Sequence, residues 1–178
     1  MDIKTRIFTN WGGYSQCKYQ KALINTCIDS GKHYDRVFFI SGLDYPLWSN
    51  KRILEYLSIH QKDELIKGMD ITTCHSPQSK QERFTIYHFF RDLPVKNLYL
   101  KRIFSGCSRQ VMKLLPIRKK NFITDGEKQL HIYQGSSWWG LTYNCLKYVA
   151  SQMNRPIFEN YFKYSFAPDE MLNSNYCF

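Results

Sequence analysis

The chain lacks the signatures of several large enzyme classes. It has no P-loop and no G-x-G-x-x-G turn, hence no phosphate cradle for ATP or a dinucleotide. It has no G-x-S-x-G elbow, and Cys74 and His75 adjoin without the setting of a thiol nucleophile. No acidic D-x-D pair follows a strand, which removes the common grip on a divalent ion. The cysteines at 17, 27, 74, 107, 145 and 177 form no C-x-x-C, and no histidine pair has zinc spacing. They read as reduced thiols, with Cys27 and Cys145 inside apolar patterns where a thiol acts as a small hydrophobe. No run approaches the roughly 18 apolar residues of a membrane span. No signal peptide, repeat, low-complexity tract or linker is evident. These absences point to a cytoplasmic protein, with amphipathic or electrostatic attachment at the inner face of a membrane left open.

Acidic residues are scarce as well. Fifteen Asp and Glu face 25 Lys and Arg, a net charge of +10 that favours anionic partners. The densest basic cluster is Arg118-Lys119-Lys120 and the rest is scattered, which suits a solvated basic surface better than a nucleic-acid strip. Aromatics are abundant at 16%, enough to stack on sugars or bases as well as to fill a core. With 178 residues, 43% of them apolar, the chain suffices for one domain that buries roughly 70% of its unfolded surface.

The stretch Val37-Phe38-Phe39-Ile40 reads as a strand buried on both faces, stopped by Ser41-Gly42 and followed by the polar turn Asp44-Tyr45-Pro46. Such strand ends carry ligand-handling loops in open α/β sheets. Before it, a strand-like segment at 5–9 leads to the Trp11-Gly12-Gly13 turn. A helix at 15–30 then presents Leu23, Ile24, Cys27 and Ile28 on one face and stops at Gly31. After it, Ser49 or Asn50 caps a helix with Ile53, Leu54 and Leu57 as its buried stripe. A polar loop is expected at 68–82, a strand at 84–90, and a helix at 98–115 closed by Pro116. A basic loop at 118–128 and a strand at 131–134 come next. Helical spacing follows from Leu141 to Met153, again from Pro156, and again from the Ala167-Pro168-Asp169-Glu170 start.

Glu170 is the acid best placed for chemistry: a carboxylate at a helix N-terminus, partly desolvated by aromatics, serves as a general base. Asp169 and Glu170 equally fit a simple complement to the helix dipole. Lys80 and Arg83, three residues apart beside a polar loop, can hold hydroxyl or carboxylate groups, or form a solvated basic edge. Trp138 and Trp139 offer a platform to a sugar ring, or core.

Three of these stretches, SGLDYPL (41–47), GSSWWGLT (135–142) and FAPDE (166–170), together resemble the core-2/I-branching β-1,6-N-acetylglucosaminyltransferase family, which includes peptide O-xylosyltransferases. The Trp11-Gly12-Gly13 turn and Lys80-Gln81-Glu82-Arg83 resemble further family elements. The resemblance implies a GT-A-like α/β fold, apparent here in shortened form as a single partial domain. It also implies inverting transfer of a sugar of the GlcNAc or xylose type from a UDP-sugar to an acceptor hydroxyl. Glu170 inherits the role of catalytic base. Lys80 and Arg83 inherit contact with the acceptor sugar, and Asp44, Ser136, Trp138 and Asp169 join them as substrate-binding candidates. No metal or other cofactor is expected, with basic side chains steadying the departing diphosphate in its place. The partners implied are the donor and a glycan or lipid-linked saccharide acceptor, as in surface glycan or polysaccharide synthesis, not nucleic acid. Family members carry an N-terminal nucleotide-binding portion before the WGG turn and diphosphate-contacting basic residues after the PDE-like motif, so this chain reads as the acceptor side plus the base. A non-catalytic saccharide-binding domain and a basic nucleic-acid-binding protein are the alternatives.

Overall fold

A computed structural model of the chain describes residues 6–72, 78–94 and 97–177. Helix α1 (Ser15–Asp29) begins without a side-chain cap of its own. The cap comes from far along the chain: the Asp92 carboxylate accepts from the Ser15 backbone N–H at 3.2 Å and from Ser15 Oγ at 2.6 Å. A carboxylate there satisfies otherwise unpaired donors and complements the helix dipole. The helix buries Cys17, Gln20 and Ile24.

Strand β1 (Arg36–Phe39) does not lie buried on both faces. Its one strand partner among the described residues is β6 (Trp139–Thr142), antiparallel, with Arg36 opposite Thr142 and Phe39 opposite Trp139. Phe39 alone is buried, and Phe38 stays 46% exposed with its ring over Gly140. The run of apolar residues suggested double burial because such a run does not reveal whether a second layer covers the outer face. Residues 6–9 form no strand.

Helix α2 (Asn50–Ile59) starts at Ser49, whose Oγ accepts from the Arg52 N–H. None of its residues is fully buried, so the expected stripe is only half realised: Ile53 and Leu57 are half-buried and Leu54 is exposed. Strand β2 (Gly68–Asp70) and helix α3 (Gln78–Thr85) occupy both ends of the expected loop at 68–82; residues 73–77, with Cys74 and His75, lie outside the described residues.

The strand expected at 84–90 is absent. Phe84, Ile86 and His88 are buried in alternation, so the period of two in the sequence is real. Their backbone is used otherwise: the Ile86 N–H reaches the Glu82 carbonyl at the end of α3, and the His88 N–H reaches the Tyr164 carbonyl at 2.8 Å. Phe84 and Thr85 end α3, and without a neighbouring strand the residues after them form a packed loop. Helix α4 (Leu98–Leu114) matches expectation, opened by Asn97 Oδ1 at two backbone N–H groups and closed by Arg118 on the Met112 and Leu115 carbonyls.

The expected basic loop contains a hairpin, β3 (Ile123–Asp125) with β4 (Lys128–Leu130), turning at Gly126. Strand β5 (Tyr133–Gly135) pairs antiparallel with β2. Helices α5 (Tyr143–Met153), capped by Thr142, and α6 (Pro156–Phe162), opened by its proline, follow, and α7 (Asp169–Cys177) closes the series. The fold is mixed α/β, but among the described residues the strands form three two-stranded antiparallel ladders, not one buried sheet, with a single bridge from Leu65 to Gly140 in β6. Ile24, Phe39, Trp139, Leu141, Leu146, Val149, Phe162 and Met171 belong to one core cluster that joins α1, β1, β6, α5, α6 and α7.

The β2–β5 ladder is unusually close at Gly135, where an added Cβ would sit 1.7 Å from the Lys67 carbonyl oxygen and 2.3 Å from Ser174 Oγ. Backbone cannot yield there as a flexible side chain would. Gly135→Ala is expected to cost about 3 kcal/mol of unfolding free energy in urea titration, whereas Gly42→Ala, whose Cβ meets nothing within 4 Å, should stay within about 0.5 kcal/mol of wild type.

Candidate active site

The residues that matter converge on the start of α7. Phe166 precedes it and is gripped on several sides. Trp11 meets its ring edge-on at 5.3 Å between centroids and His88 lies at 5.6 Å. The Arg83 and Arg91 guanidinium groups sit 5.1 and 4.6 Å from the ring centroid. Gly12, at φ +72°, allows the turn that brings Trp11 there, and a Cβ on it would press to 2.8 Å of Phe166. The Phe166 N–H donates to the Arg83 carbonyl at 2.7 Å, and the Ala167 N–H to the Gly12 carbonyl at 3.1 Å. Ala167 is held at φ +48°, a left-handed conformation that L-residues adopt at a cost. The chain then enters α7 with Asp169 and Glu170 in its first turn.

Glu170 therefore stands where three elements meet. Its Oε2 receives Arg83 Nη1 at 2.9 Å from α3 and Gln134 Nε2 at 3.2 Å from β5. Both Arg83 and Glu170 are about a third exposed or less, so the pair is open to a ligand without being free in solvent. Asp169 turns the other way. It is 5% exposed, and its Oδ2 accepts from Ser137 Oγ at 2.6 Å, which ties the 135–138 turn to α7. Burial pushes the Asp169 carboxyl up; the Ser137 hydrogen bond opposes that shift, and the neighbouring Glu170 charge adds to it.

A cavity of about 510 Å³ opens on this corner, lined by Lys67, Gly135, Ser136, Ser137, Trp138 and Glu170. A second, of about 460 Å³, shares Lys67, Ser136 and Trp138 with it and runs along residues 64–66. Trp138 stacks on Phe39 at 5.7 Å yet stays 47% exposed, while Trp139 also stacks on Phe39 and is buried in the core. Of the pair, Trp139 belongs to the core and Trp138 stays at the surface. A larger cleft of about 700 Å³ near α2 includes Arg36 and Glu64, but both are already committed to the fold. Arg36 donates to the Gly140, His60 and Asp63 carbonyls, and Glu64 accepts from the Thr142 N–H and hydroxyl.

The structure thus brings together Glu170, Arg83, Ser136 and Trp138, with buried Asp169 behind them. Asp44 lines neither of the two cavities that share Trp138; it sits in an exposed turn that its own carboxylate closes on the Ser41 N–H at 2.6 Å. The Lys80 side chain lies outside the described residues. Sequence reading passed over Lys67, Gln134 and Ser137. Ser137 stood inside a noted motif, whereas Lys67 and Gln134 carry no local signal and reach the site through the β2–β5 pairing. Among the described residues no group of three His, Cys, Asp or Glu side chains gathers as a metal site.

The model of the family described as Core-2/I-Branching enzyme matches residues 1–174. The chain belongs to the core-2/I-branching enzyme family. Among curated proteins it is similar to the mouse beta-1,3-galactosyl-O-glycosyl-glycoprotein beta-1,6-N-acetylglucosaminyltransferase 4, 24% identical over 150 residues. That match covers 83% of this chain and 28% of the mouse protein, so the chain spans under a third of that relative's length. No described helix of this branching-family chain is long and apolar enough to cross a membrane.

His88 gives this corner a measurable pH dependence. Burial pushes its imidazole down to about 4, with Arg91, Lys119 and Arg109 adding to the shift and the Glu82 carbonyl opposing it. The unfolded chain takes up the proton near 6.5. The His88 contribution to stability is therefore complete above pH 6.5 and is lost as pH falls towards 4. The expected loss is on the order of 3 kcal/mol. Urea unfolding at several pH values checks it, and His88→Gln should flatten that part of the profile.

Proposed function

We propose that this chain carries the acceptor side and the catalytic base of an inverting glycosyltransferase, moving a GlcNAc- or xylose-type sugar from a UDP-sugar to an acceptor hydroxyl. The observation that carries this reading is Glu170, a carboxylate at a helix start, about a third exposed at a sugar-sized cavity and held by Arg83 and Gln134. In an inverting transfer one carboxylate suffices. It accepts the acceptor hydroxyl's proton as that oxygen attacks the anomeric carbon from the face opposite the leaving diphosphate. Arg83 fixes the carboxylate's orientation and its forked donors can share the acceptor's hydroxyls. Trp138 offers the apolar face on which a sugar ring packs, and Ser136 lines the same cavity. Lys67 adds a cation at its rim. The family resemblance extends the reading to a GT-A-like arrangement and to transfer without a divalent metal, in which fixed cations supply the charge stabilisation at the diphosphate.

Glu170→Gln keeps the shape and the Gln134 and Arg83 neighbours but cannot take the proton. Transfer from UDP-sugars, followed by release of UDP, should fall by about 10²- to 10⁴-fold while acceptor affinity in calorimetry changes little. Near-normal turnover by Glu170→Gln would overturn the base assignment. Wild-type chain that binds saccharide but neither binds nor turns over a UDP-sugar would favour a saccharide-binding domain instead. Arg83→Ala, in contrast, should weaken acceptor binding about tenfold, because a charged hydrogen bond is lost.

A further inference from the structure

Helix α4 is mounted with its apolar side outward. Lys101, Ser105, Ser108 and Met112, spaced four, three and four residues apart, are its less exposed positions and form the face turned to the body of the protein. Met112 alone is buried there, and Lys101 Nζ donates to Asn10 Oδ1. The adjoining outward face carries Leu100, Ile103, Phe104, Cys107, Val111 and Leu114, all exposed, with Leu114 at 87% and Val111 at 54%. Leu115 and Ile117 prolong this stripe beyond the helix, and Phe90, 47% exposed, meets Phe104 at 6.3 Å. A soluble surface helix normally has the reverse arrangement.

The charge around the stripe says what covers it. No Asp or Glu occurs between Asp92 and Asp125, while Lys96, Lys101, Arg102, Arg109, Lys113, Arg118, Lys119 and Lys120 do. Some of these are used within the fold: Lys113 pairs with Glu82 at 2.6 Å, Arg118 closes α4, and Lys119 donates to Ser165 Oγ and the Tyr161 carbonyl. Arg102 and Arg109 are exposed on the polar side of the helix, nine residues from Val111 and Leu100 respectively and so turned away from the stripe. Apolar residues on one face, arginines on the polar face and no acid on the helix itself suit a helix lying in the headgroup layer of an anionic bilayer. A second copy of the chain fits less well, because two chains of net charge +10 would meet with no carboxylate on either helix to offset their repulsion. A nucleic acid would meet the arginines but leave Leu100, Val111 and Leu114 without stacking or hydrogen-bonding function.

We propose that α4 is a docking surface for an anionic membrane, with the apolar stripe in the acyl boundary and Arg102 and Arg109 among the headgroups. The inference stands apart from the transferase reading, so either can fail alone. The test is co-sedimentation of the full chain with phosphatidylcholine vesicles, with and without phosphatidylglycerol, across a salt series. Binding should be at least about tenfold tighter to the anionic vesicles and should weaken as salt rises. Leu100→Glu with Val111→Glu should lower it about tenfold or more. Arg102→Gln with Arg109→Gln should lower it similarly and flatten the salt dependence, at roughly fivefold per charge. Leu54→Glu, an exposed apolar position on α2, should bind as wild type. Circular dichroism establishes that each variant is folded, and the two pairs of substitutions at separate positions guard against a misfolded one. Equal binding to neutral and anionic vesicles, or unchanged binding by Leu100→Glu with Val111→Glu, would overturn the proposal. So would vesicle-independent dimerisation that this pair abolishes, which would assign the stripe to a second copy, or binding to RNA with none to vesicles.

Discussion

The site depends on one aromatic ring being held still. Phe166 sits between two guanidinium groups, an indole edge and a buried imidazole, and it passes that fixed position to the residues that follow. Contacts between a cation and an aromatic face contribute about 0.5–2 kcal/mol each, more as water is excluded. Arg83 serves twice, packing on Phe166 and pairing with Glu170 four residues later. The same guanidinium therefore sets both the entry of the chain into α7 and the direction of its carboxylate. The tie between the Gly12 carbonyl and the Ala167 N–H links the beginning of the described chain to this point and helps to hold Ala167 in its strained conformation.

Two neighbouring carboxylates end up with different tasks for a reason that is purely environmental. Asp169 faces inward, where burial raises its proton affinity and Ser137 is its partner. Glu170 faces the cavity with cationic and amide donors on one oxygen. The first positions the Ser137 turn that walls the cavity; the second is the group available to a ligand. A cavity built in this way has an apolar wall in Trp138 and a charged floor, the mixture a saccharide requires.

Much of this was legible in the residues. The helices α1, α4, α5 and α7 announced themselves by spacing and by the residues that start or stop them, such as Gly31, Pro116 and Pro168, and the position of Glu170 followed from a proline and two acids at a helix start. What was not legible depended on partners distant in sequence. Val37 to Ile40 looked doubly buried, yet burial of its outer face needs a second layer that no local pattern encodes. Residues 84–89 alternate between buried and half-buried, but whether alternation becomes a strand depends on a neighbour to accept its hydrogen bonds, and His88 found Tyr164 instead. Lys67 and Gln134 entered the site because β2 pairs with β5, a register set by the close approach at Gly135. Asp44, prominent in its motif, is held by its own turn. The outward apolar face of α4 had the periodicity of an ordinary amphipathic helix, and only the burial of Met112 shows which side was turned in.

The central claim is that the corner formed by α3, β5 and the start of α7 receives a sugar. A crystal structure of the chain soaked with an acceptor saccharide tests this most directly. The account predicts a sugar ring against Trp138, with one hydroxyl within hydrogen-bond distance of a Glu170 carboxylate oxygen and another shared with Arg83. A saccharide bound elsewhere, with the Arg83–Glu170 pair undisturbed at 2.9 Å, would contradict it.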